Sequence, residues 1–310
     1  MRLHDPFMDV VPRVDVLGVQ VSAINLGQAL DVVDQWITTG SSHYVCVTGV
    51  HGVMESRRDE RLREIHNAAG LVTPDGMPLV WWTRACGWSH VGRVYGPDLL
   101  LACCERSITT GYRHFFYGGG ACVADLLARR LSRRFPGLIV AGTYTPPFRP
   151  LTPDEDEQVV ARINEAAPDI VWVGLSTPKQ EYWMAEHVNR LTAPVLIGVG
   201  AAFDFHSGLK RQAPRWMQQN GVEWLFRLAS EPRRLWKRYL QNNPAFVWLA
   251  LEEMWRTARA AHDLEAAGAS KRTIRGMYLR NVRRAVPMER PGNRGSRLDV
   301  VASPSVDTVH

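Results

Sequence analysis

Asp75 sits in the stretch "LVTPDGMPLVWW" (71–82), wedged between an apolar pair and a second apolar run. A carboxylate at so sharp a turn has two uses. It can cap the helix that follows by accepting backbone N–H bonds, and the local pattern favours this. Partly desolvated beside the positive end of that helix, it can instead serve as a general base for an attacking hydroxyl. The stretch "FYGGG" (116–120) runs into "ACVADLLARRL", a glycine turn feeding a helix, where Gly118 and Gly119 can cradle a phosphate on backbone N–H groups. A plain tight turn accounts for these glycines equally well. In "STPKQEYW" (176–183), Pro178 suits an early helical position, Lys179 can pair with a phosphate, and Gln180 can bond a sugar or base. A solvated first turn is the simpler alternative. "AAFDFHSG" (201–208) sets Asp204 and His206 in apolar surroundings, so Asp204 is either structurally partnered or ligand-facing. The spacing of His206, Asp204 and the cysteines is not that of a metal site, and no metal is expected.

These residues need a frame, and the apolar pattern supplies one. Short apolar runs at 43–50, 70–73, 113–119, 138–144, 169–175 and 194–200 read as buried strands. Segments with helical spacing lie between most of them, at 53–68, 97–109, 121–135, 154–166 and 179–190. Alternating strands and helices predict an α/β fold with a mostly parallel sheet covered on both faces. Ligands bind beyond the carboxyl ends of such strands, and Thr48, Asp75, Gly118–Gly120, "GLSTPKQE" and "GVGAAFDFHSG" all follow strands. Beyond residue 206 the alternation stops. The rest reads as a helical appendage punctuated by Gly221, Pro232 and Pro244, then a disordered tail from 286 to 310. The predicted organisation is a catalytic domain over 1–205, an appendage over 206–285 and the tail.

Charge divides along the same line. Residues 1–205 carry 18 Lys/Arg against 22 Asp/Glu, whereas 206–290 carry 17 against 7. That basic part holds Trp216, Trp224, Trp236, Trp248 and Trp255, five of the 11 tryptophans. Cations interleaved with aromatic rings suit an anionic membrane surface. They also suit a single nucleic-acid strand or plain packing onto the core. The membrane reading is preferred and no nucleic-acid partner is expected. Five cysteines without a CxxC pair point to a reducing cytoplasm. The N-terminus lacks the apolar core of a signal peptide, and no apolar run reaches the roughly 20 residues of a membrane-spanning helix.

"TPDGMPLVWW", "RVYGPDLL", "FFYGGG", "PDIVWVGLSTPKQEYW", "GVGAAFDFHSG" and "APRWMQQNGVEWLFRLASEPRRLWKRYL" occur in an order and spacing that resemble the WecG/TagA/CpsF glycosyltransferases, over about residues 14 to 245. The resemblance implies a Rossmann-like catalytic domain with an Arg-rich helical appendage that completes the site at the membrane. It implies inverting, metal-independent transfer of a sugar from a UDP-sugar to an undecaprenyl-diphosphate-linked sugar, as in cell-surface or exopolysaccharide synthesis. No cofactor is expected, and the enzyme would be cytoplasmic, peripherally bound to the inner face of the membrane. Subunits of the family can associate, so a homo-oligomer is possible. Asp75 then matches the proposed base. Thr48 matches a threonine after the early strand, and the asparagine that usually follows is replaced by Gly49 or Val50, with His51 as the substitute contact. Arg93 is expected near the diphosphate and Gln180 in the pocket. Arg227, Arg233 and Arg234 are expected to neutralise diphosphate on donor or lipid acceptor. Two further classes stand beside this one. A nicotinamide-dependent oxidoreductase would need a GxGxxG, and Val123 stands where its third glycine belongs. A non-enzymatic membrane- or nucleic-acid-binding module would leave Asp75 without a task.

Overall fold

Every apolar run read as a strand is a strand in the computed structural model, which describes residues 11–266. Two further strands precede them. β1 (Arg13–Val16) and β2 (Val19–Ser22) pair antiparallel around Leu17 and Gly18, whose φ values are 54° and 96°. The hairpin is tied down by the buried Arg13, whose guanidinium donates to the carbonyls of Asn67, Ala69 and Gly70. β3 (His43–Thr48), β4 (Leu71–Pro74), β5 (Arg113–Gly118), β6 (Ile139–Tyr144), β7 (Ile170–Gly174) and β8 (Val195–Gly198) form one parallel sheet in the order β4-β3-β8-β7-β5-β6.

Side chains alternate across a strand, so a sheet buried on both faces builds two cores. Val45, Leu71, Phe116, Trp172 and Ile197 point into one, with α1 (Leu26–Thr39) packed there. Tyr44, Cys46, Val72, Phe115, Val171 and Leu196 point into the other. The segment expected as one helix over 53–68 is two, α2 (Val50–Arg58) and α3 (Glu60–Ala68). Asp59 causes the break. It ends α2 in an extended conformation and its carboxylate caps α3 by accepting from the Leu62 N–H. α4 (Met77–Ala85) follows β4, then α5 (Gly96–Thr110) and α6 (Val123–Arg134). α7 (Pro153–Ala166) starts where acids crowd "LTPDEDEQ", with Thr152 and Glu155 forming a reciprocal capping box. α8 (Lys179–His187) and the short α9 (Ala202–His206) complete this part.

After β8 the described chain is helical: α10 (Arg215–Gln219), α11 (Glu223–Ser230) and α12 (Pro232–Ala266). Pro232 opens α12, but Pro244 lies inside it and does not punctuate the appendage. Proline withholds one N–H there, and the acceptor it strands belongs to Leu240, an exposed residue that water reaches. α12 packs its other side on the catalytic part, with Phe246 buried among Val53, Met54 and their neighbours. The end of the expected appendage and the expected tail at 286–310 lie outside the described residues.

Candidate active site

The carboxyl ends of all six parallel strands open into one cleft of about 1600 Å3. Gly49, Asp75, Gly119, Pro146, Ser176 and Gly200, each just past a strand end, line it. Glu223, Arg227, Arg234 and Arg238 of the appendage close over it.

Asp75 is not the helix cap. Gly76 holds that position in α4, and it makes no side-chain capping bond. The Asp75 backbone is clamped, its N–H donating to the Thr48 carbonyl at 2.9 Å while its own carbonyl accepts from Arg93 Nε. Its carboxylate is left facing the cleft, with Oδ1 buried and without a hydrogen-bond partner among the described residues. Burial pushes this carboxyl above its ordinary value, and Glu223 pushes the same way. Arg93, Arg227 and the Gly96 N–H pull against them. A carboxyl held in this way binds a proton more readily than a surface one, as a general base must.

Arg93 is more fully engaged than the sequence suggests. Besides the Asp75 carbonyl, it donates from Nη2 to Glu223 Oε2 at 2.7 Å and from Nη1 to the Gln218 carbonyl at 3.4 Å. Its guanidinium lies 4.0 Å from the centre of the Tyr95 ring, and Nη2 is 3.8 Å from Asp75 Oδ1. Burial lowers its pKa, but Asp75 and Glu223 together hold it above the usual value. Its donors are directed at protein acceptors rather than into the cleft, where the diphosphate contact is expected.

Other arginines lie on α11 and α12. Arg227 and Arg238 line the cleft, and neither forms an ion pair with an acid among the described residues. Burial pulls Arg238 down to about 10, with Arg227 and Arg234 adding repulsion, and its Nε has no partner. Half-buried cations without acid partners cost free energy unless an anion arrives to meet them. Arg234 also lines the cleft, half-exposed and paired with Glu231. Arg233 does not belong with them. It is exposed and outside the lining, because one residue turns a helix side chain by about 100°. Arg238, four residues after Arg234, shares its face instead.

His51 lines the cleft beside Arg238. Asn242 accepts from Arg58 through Oδ1, so its amide nitrogen faces His51 Nδ1 at 3.1 Å. That pattern assigns the ring proton to Nε2. Burial first, then Arg238, Arg58 and Arg227, lower the imidazole to about 3. His51 is therefore a neutral donor at physiological pH.

The opposite flank is built from turns. Gly118 (φ 117°) leaves no room for a Cβ, which would lie 2.7 Å from the Gly174 carbonyl oxygen. Gly118 itself is outside the cleft lining, a correction to its expected role. Gly119 (φ 78°) lines the cleft, but its N–H already donates to the Gly174 carbonyl at 3.0 Å. These glycines make a tight turn, and the Gly119 N–H expected to cradle a phosphate is already engaged within it. Thr48 also sits beneath the cleft wall rather than on it. Its hydroxyl donates to the Cys46 carbonyl, its methyl packs over Gly52, and its contribution is the carbonyl that anchors Asp75. Gln180 does line the cleft. Its amide donates to the buried Glu181 carboxylate, leaving Oε1 unpaired beside Gly200. Lys179 reaches the cleft with its ammonium 5.2 Å from the exposed Phe148 ring. Asp204 lines it too, paired with Lys210 at 2.7 Å.

Residues 14–260 match the sequence model of the "Glycosyl transferase WecG/TagA/CpsF family". The chain belongs to that family. It is a glycosyltransferase, and the dinucleotide-dependent oxidoreductase is not favoured. Its relatives include an N-acetylglucosaminyldiphosphoundecaprenol N-acetyl-beta-D-mannosaminyltransferase of Bacillus spizizenii, 27% identical over 242 residues, covering 74% of this chain and 91% of that one. A protein of the same name from Staphylococcus aureus (strain MW2) is 24% identical over 257 residues, covering 82% and 96%.

Within this glycosyltransferase, four cleft-side residues escaped the sequence reading: Tyr95, Glu223, Arg238 and Asn242. Glu223 stood four residues before Arg227, and Arg238 four after Arg234. Helical spacing from the chosen arginines would have found both. The tryptophans of the basic segment do not pack onto the core as a group. Trp216, Trp236, Trp248 and Trp255 are all exposed, Trp248 by 71%. Trp216, Met254 and Trp255 stand outside the cleft with the exposed cations Arg233, Lys237, Arg256 and Arg259, whereas Trp236, Leu240, Val247, Trp248 and Leu251 are exposed and border it. No helix among the described residues is long and apolar enough to cross a membrane.

Proposed function

We propose that the enzyme transfers a sugar from a UDP-sugar to a polyprenyl-diphosphate-linked saccharide with inversion, using Asp75 as the base. The observation that carries this is a single cleft holding a partly buried carboxylate, one of whose oxygens has no hydrogen-bond partner among the described residues, together with two arginines without acid partners. The Asp75 carboxylate takes the proton of the acceptor hydroxyl. The hydroxyl oxygen bonds to the anomeric carbon as the bond from that carbon to the UDP oxygen breaks on the opposite face. The departing diphosphate gains negative charge, which Arg227, Arg238 and Arg234 meet with preorganised donors. His51 Nε2 adds a neutral hydrogen bond to the same group. Gln180, Lys179 and Asp204 border the same ligand. In this scheme arginine does the work that a metal ion does elsewhere, and no cofactor takes part.

The names of the relatives make an undecaprenyl-diphosphate-linked N-acetylglucosamine the first acceptor to try and N-acetylmannosamine the first sugar. The apolar and basic outer face of the appendage suits the anionic inner leaflet of the cytoplasmic membrane, where such an acceptor resides. The product would enter cell-surface or exopolysaccharide synthesis.

The experiment is UDP release by the detergent-solubilised full chain, given a panel of UDP-sugars and a short-chain prenyl-diphosphate-linked N-acetylglucosamine, with and without EDTA. The expected result is acceptor-dependent release with one donor, unaffected by EDTA and lost in Asp75→Asn. Release that needs no acceptor, or an Asp75→Asn variant as active as the parent, would overturn the scheme.

A further inference from the structure

One guanidinium serves two carboxylates at this site, and the division is unequal. The same Arg93 Nη2 atom lies 2.7 Å from Glu223 Oε2 but 3.8 Å from Asp75 Oδ1. The closer contact is a charge-assisted hydrogen bond, and the farther one is a Coulomb attraction with no bond in it. Glu223 is itself fixed, buried at the first position of α11, with its second oxygen accepting from the Tyr95 hydroxyl at 2.9 Å. Tyr95 in turn stacks on Arg93. Glu223, Tyr95 and Arg93 therefore form a closed triangle that holds the guanidinium to one side. Asp75 Oδ1 is thereby left unbonded.

We propose that Glu223 is a positioning residue that keeps Arg93 from closing onto Asp75, so that the Asp75 carboxylate stays free to accept the proton of the attacking hydroxyl. The proposal rests on Asp75 being the base. Its physical logic is competition. A guanidinium close to two carboxylates forms its short bond with the one better fixed to receive it. If the Glu223 charge is removed, Arg93 turns to the remaining carboxylate. A carboxylate so bonded has lost both a lone pair and much of its basicity.

Other groups facing Asp75 do not substitute for Glu223. Arg227 of α11 attracts the carboxylate, and so does the Gly96 N–H of α5. At the start of α2, Gly49 presents only backbone. Among these groups Glu223 is the one acidic neighbour, and it comes from the appendage. The device therefore makes the strength of the base depend on α11 being seated against the catalytic part.

The test is the pH dependence of kcat and kcat/KM for the full chain in detergent, with the UDP-sugar that turns over and the prenyl-diphosphate-linked acceptor. Four proteins are compared: parent, Glu223→Gln, Glu223→Asp and Asp75→Asn. Glu223→Gln should lower plateau kcat on the order of tenfold, a part of what a general base supplies. Its acidic limb should move to lower pH, while the KM for the UDP-sugar stays within about twofold. Glu223→Asp keeps the charge and should leave the limb in place. Should Glu223→Gln fail to fold, Arg93→Met tests the same competition from the other side and should move the limb to higher pH.

A Glu223→Gln enzyme that is slower but has an unmoved acidic limb would overturn the proposal, since a merely structural defect does not shift a titration. An unmoved limb in Arg93→Met would do the same. Failure of the underlying assignment looks different. In that case Asp75→Asn itself retains acceptor-dependent UDP release.

Discussion

The two flanks of the cleft are built by different means. The flank past β5, β7 and β8 is made of turns, in which Gly118, Gly119 and Gly174 bring backbone against backbone and Gln180 is held by its chain neighbour Glu181. The flank past β3 and β4 is assembled from segments far apart in the chain. Arg93 meets Glu223, and His51 meets Asn242. The first flank stores its geometry in local backbone shape and resists substitution sterically. The second stores it in charge and is sensitive to which groups are ionised. Damage to the first should therefore appear as lost stability, and damage to the second as lost rate.

The largest expected effect follows from Asp75→Asn, a loss of about 10²-fold or more in kcat, in the range a positioned base contributes. The same variant sharpens the contrast, because it should not destabilise the fold. The folded Asp75 carboxyl lies above its ordinary value of 3.8, so the folded state holds the proton more tightly than the unfolded chain does. Ionising it therefore costs stability above the folded value, and that cost is absent below the unfolded one. Asp75→Asn should raise Tm at pH 8 and lose that advantage as the pH falls toward 3.8.

Next in size is Arg238→Ala, expected to lower kcat on the order of 10²-fold, as for other donors that meet developing charge. Arg233→Ala should stay within about twofold, since Arg233 faces away from the cleft. Equal losses from the two would show that the lipid surface, not the cleft, uses these cations. On the other flank, Gly118→Ala should cost about 1–3 kcal/mol of stability, read as a lower Tm. A fully stable but inactive Gly118→Ala enzyme would break the comparison between the flanks.

The smallest effects concern the periphery. Trp255→Ala with Arg259→Glu should weaken binding to phosphatidylglycerol vesicles about fivefold to tenfold, without changing turnover of a soluble short-chain acceptor. Equal binding to phosphatidylcholine vesicles would argue against an anionic surface. His51 adds a modest pH dependence. With its imidazole lowered to about 3, the unfolded chain takes up a proton below pH 6.5 and the folded chain does not. Stability from this group is thus lost as pH falls from 6.5 toward 3, and Tm measured across that range should fall less steeply in His51→Gln.

Much of the fold is legible in the sequence, because a buried strand is a short apolar run, and five of the six parallel strands are largely buried while the edge strand β6 is apolar but not buried. What escapes is equally physical. The segments over 13–22 and 26–39 carry no long apolar run, and the first forms a hairpin held by a buried arginine bonded to distant carbonyls. Asp59 divides a helix whose periodicity is otherwise continuous, because its carboxylate caps the second half. At the site, motif position identifies the segments that reach the cleft but not the side of each that faces it. Thr48, Gly118 and Arg233 lie in the right segments with the wrong orientation, and Glu223 and Arg238 lie one helical step from residues already suspected.

The sequence by itself determined the α/β class, the strand ends that gather at one crevice, the family, and Asp75 as a carboxylate that something must desolvate. It did so because burial periodicity and motif spacing are local properties. Only the tertiary structure decided that Asp75 caps no helix and that Arg93 is shared between two acids. It also decided that Arg227 and Arg238, rather than Arg233, are the half-buried cleft cations without acid partners. The sharing of Arg93 depends on distances of a few ångströms to a residue 130 positions away, and charge interactions across such a separation have no signature along the chain.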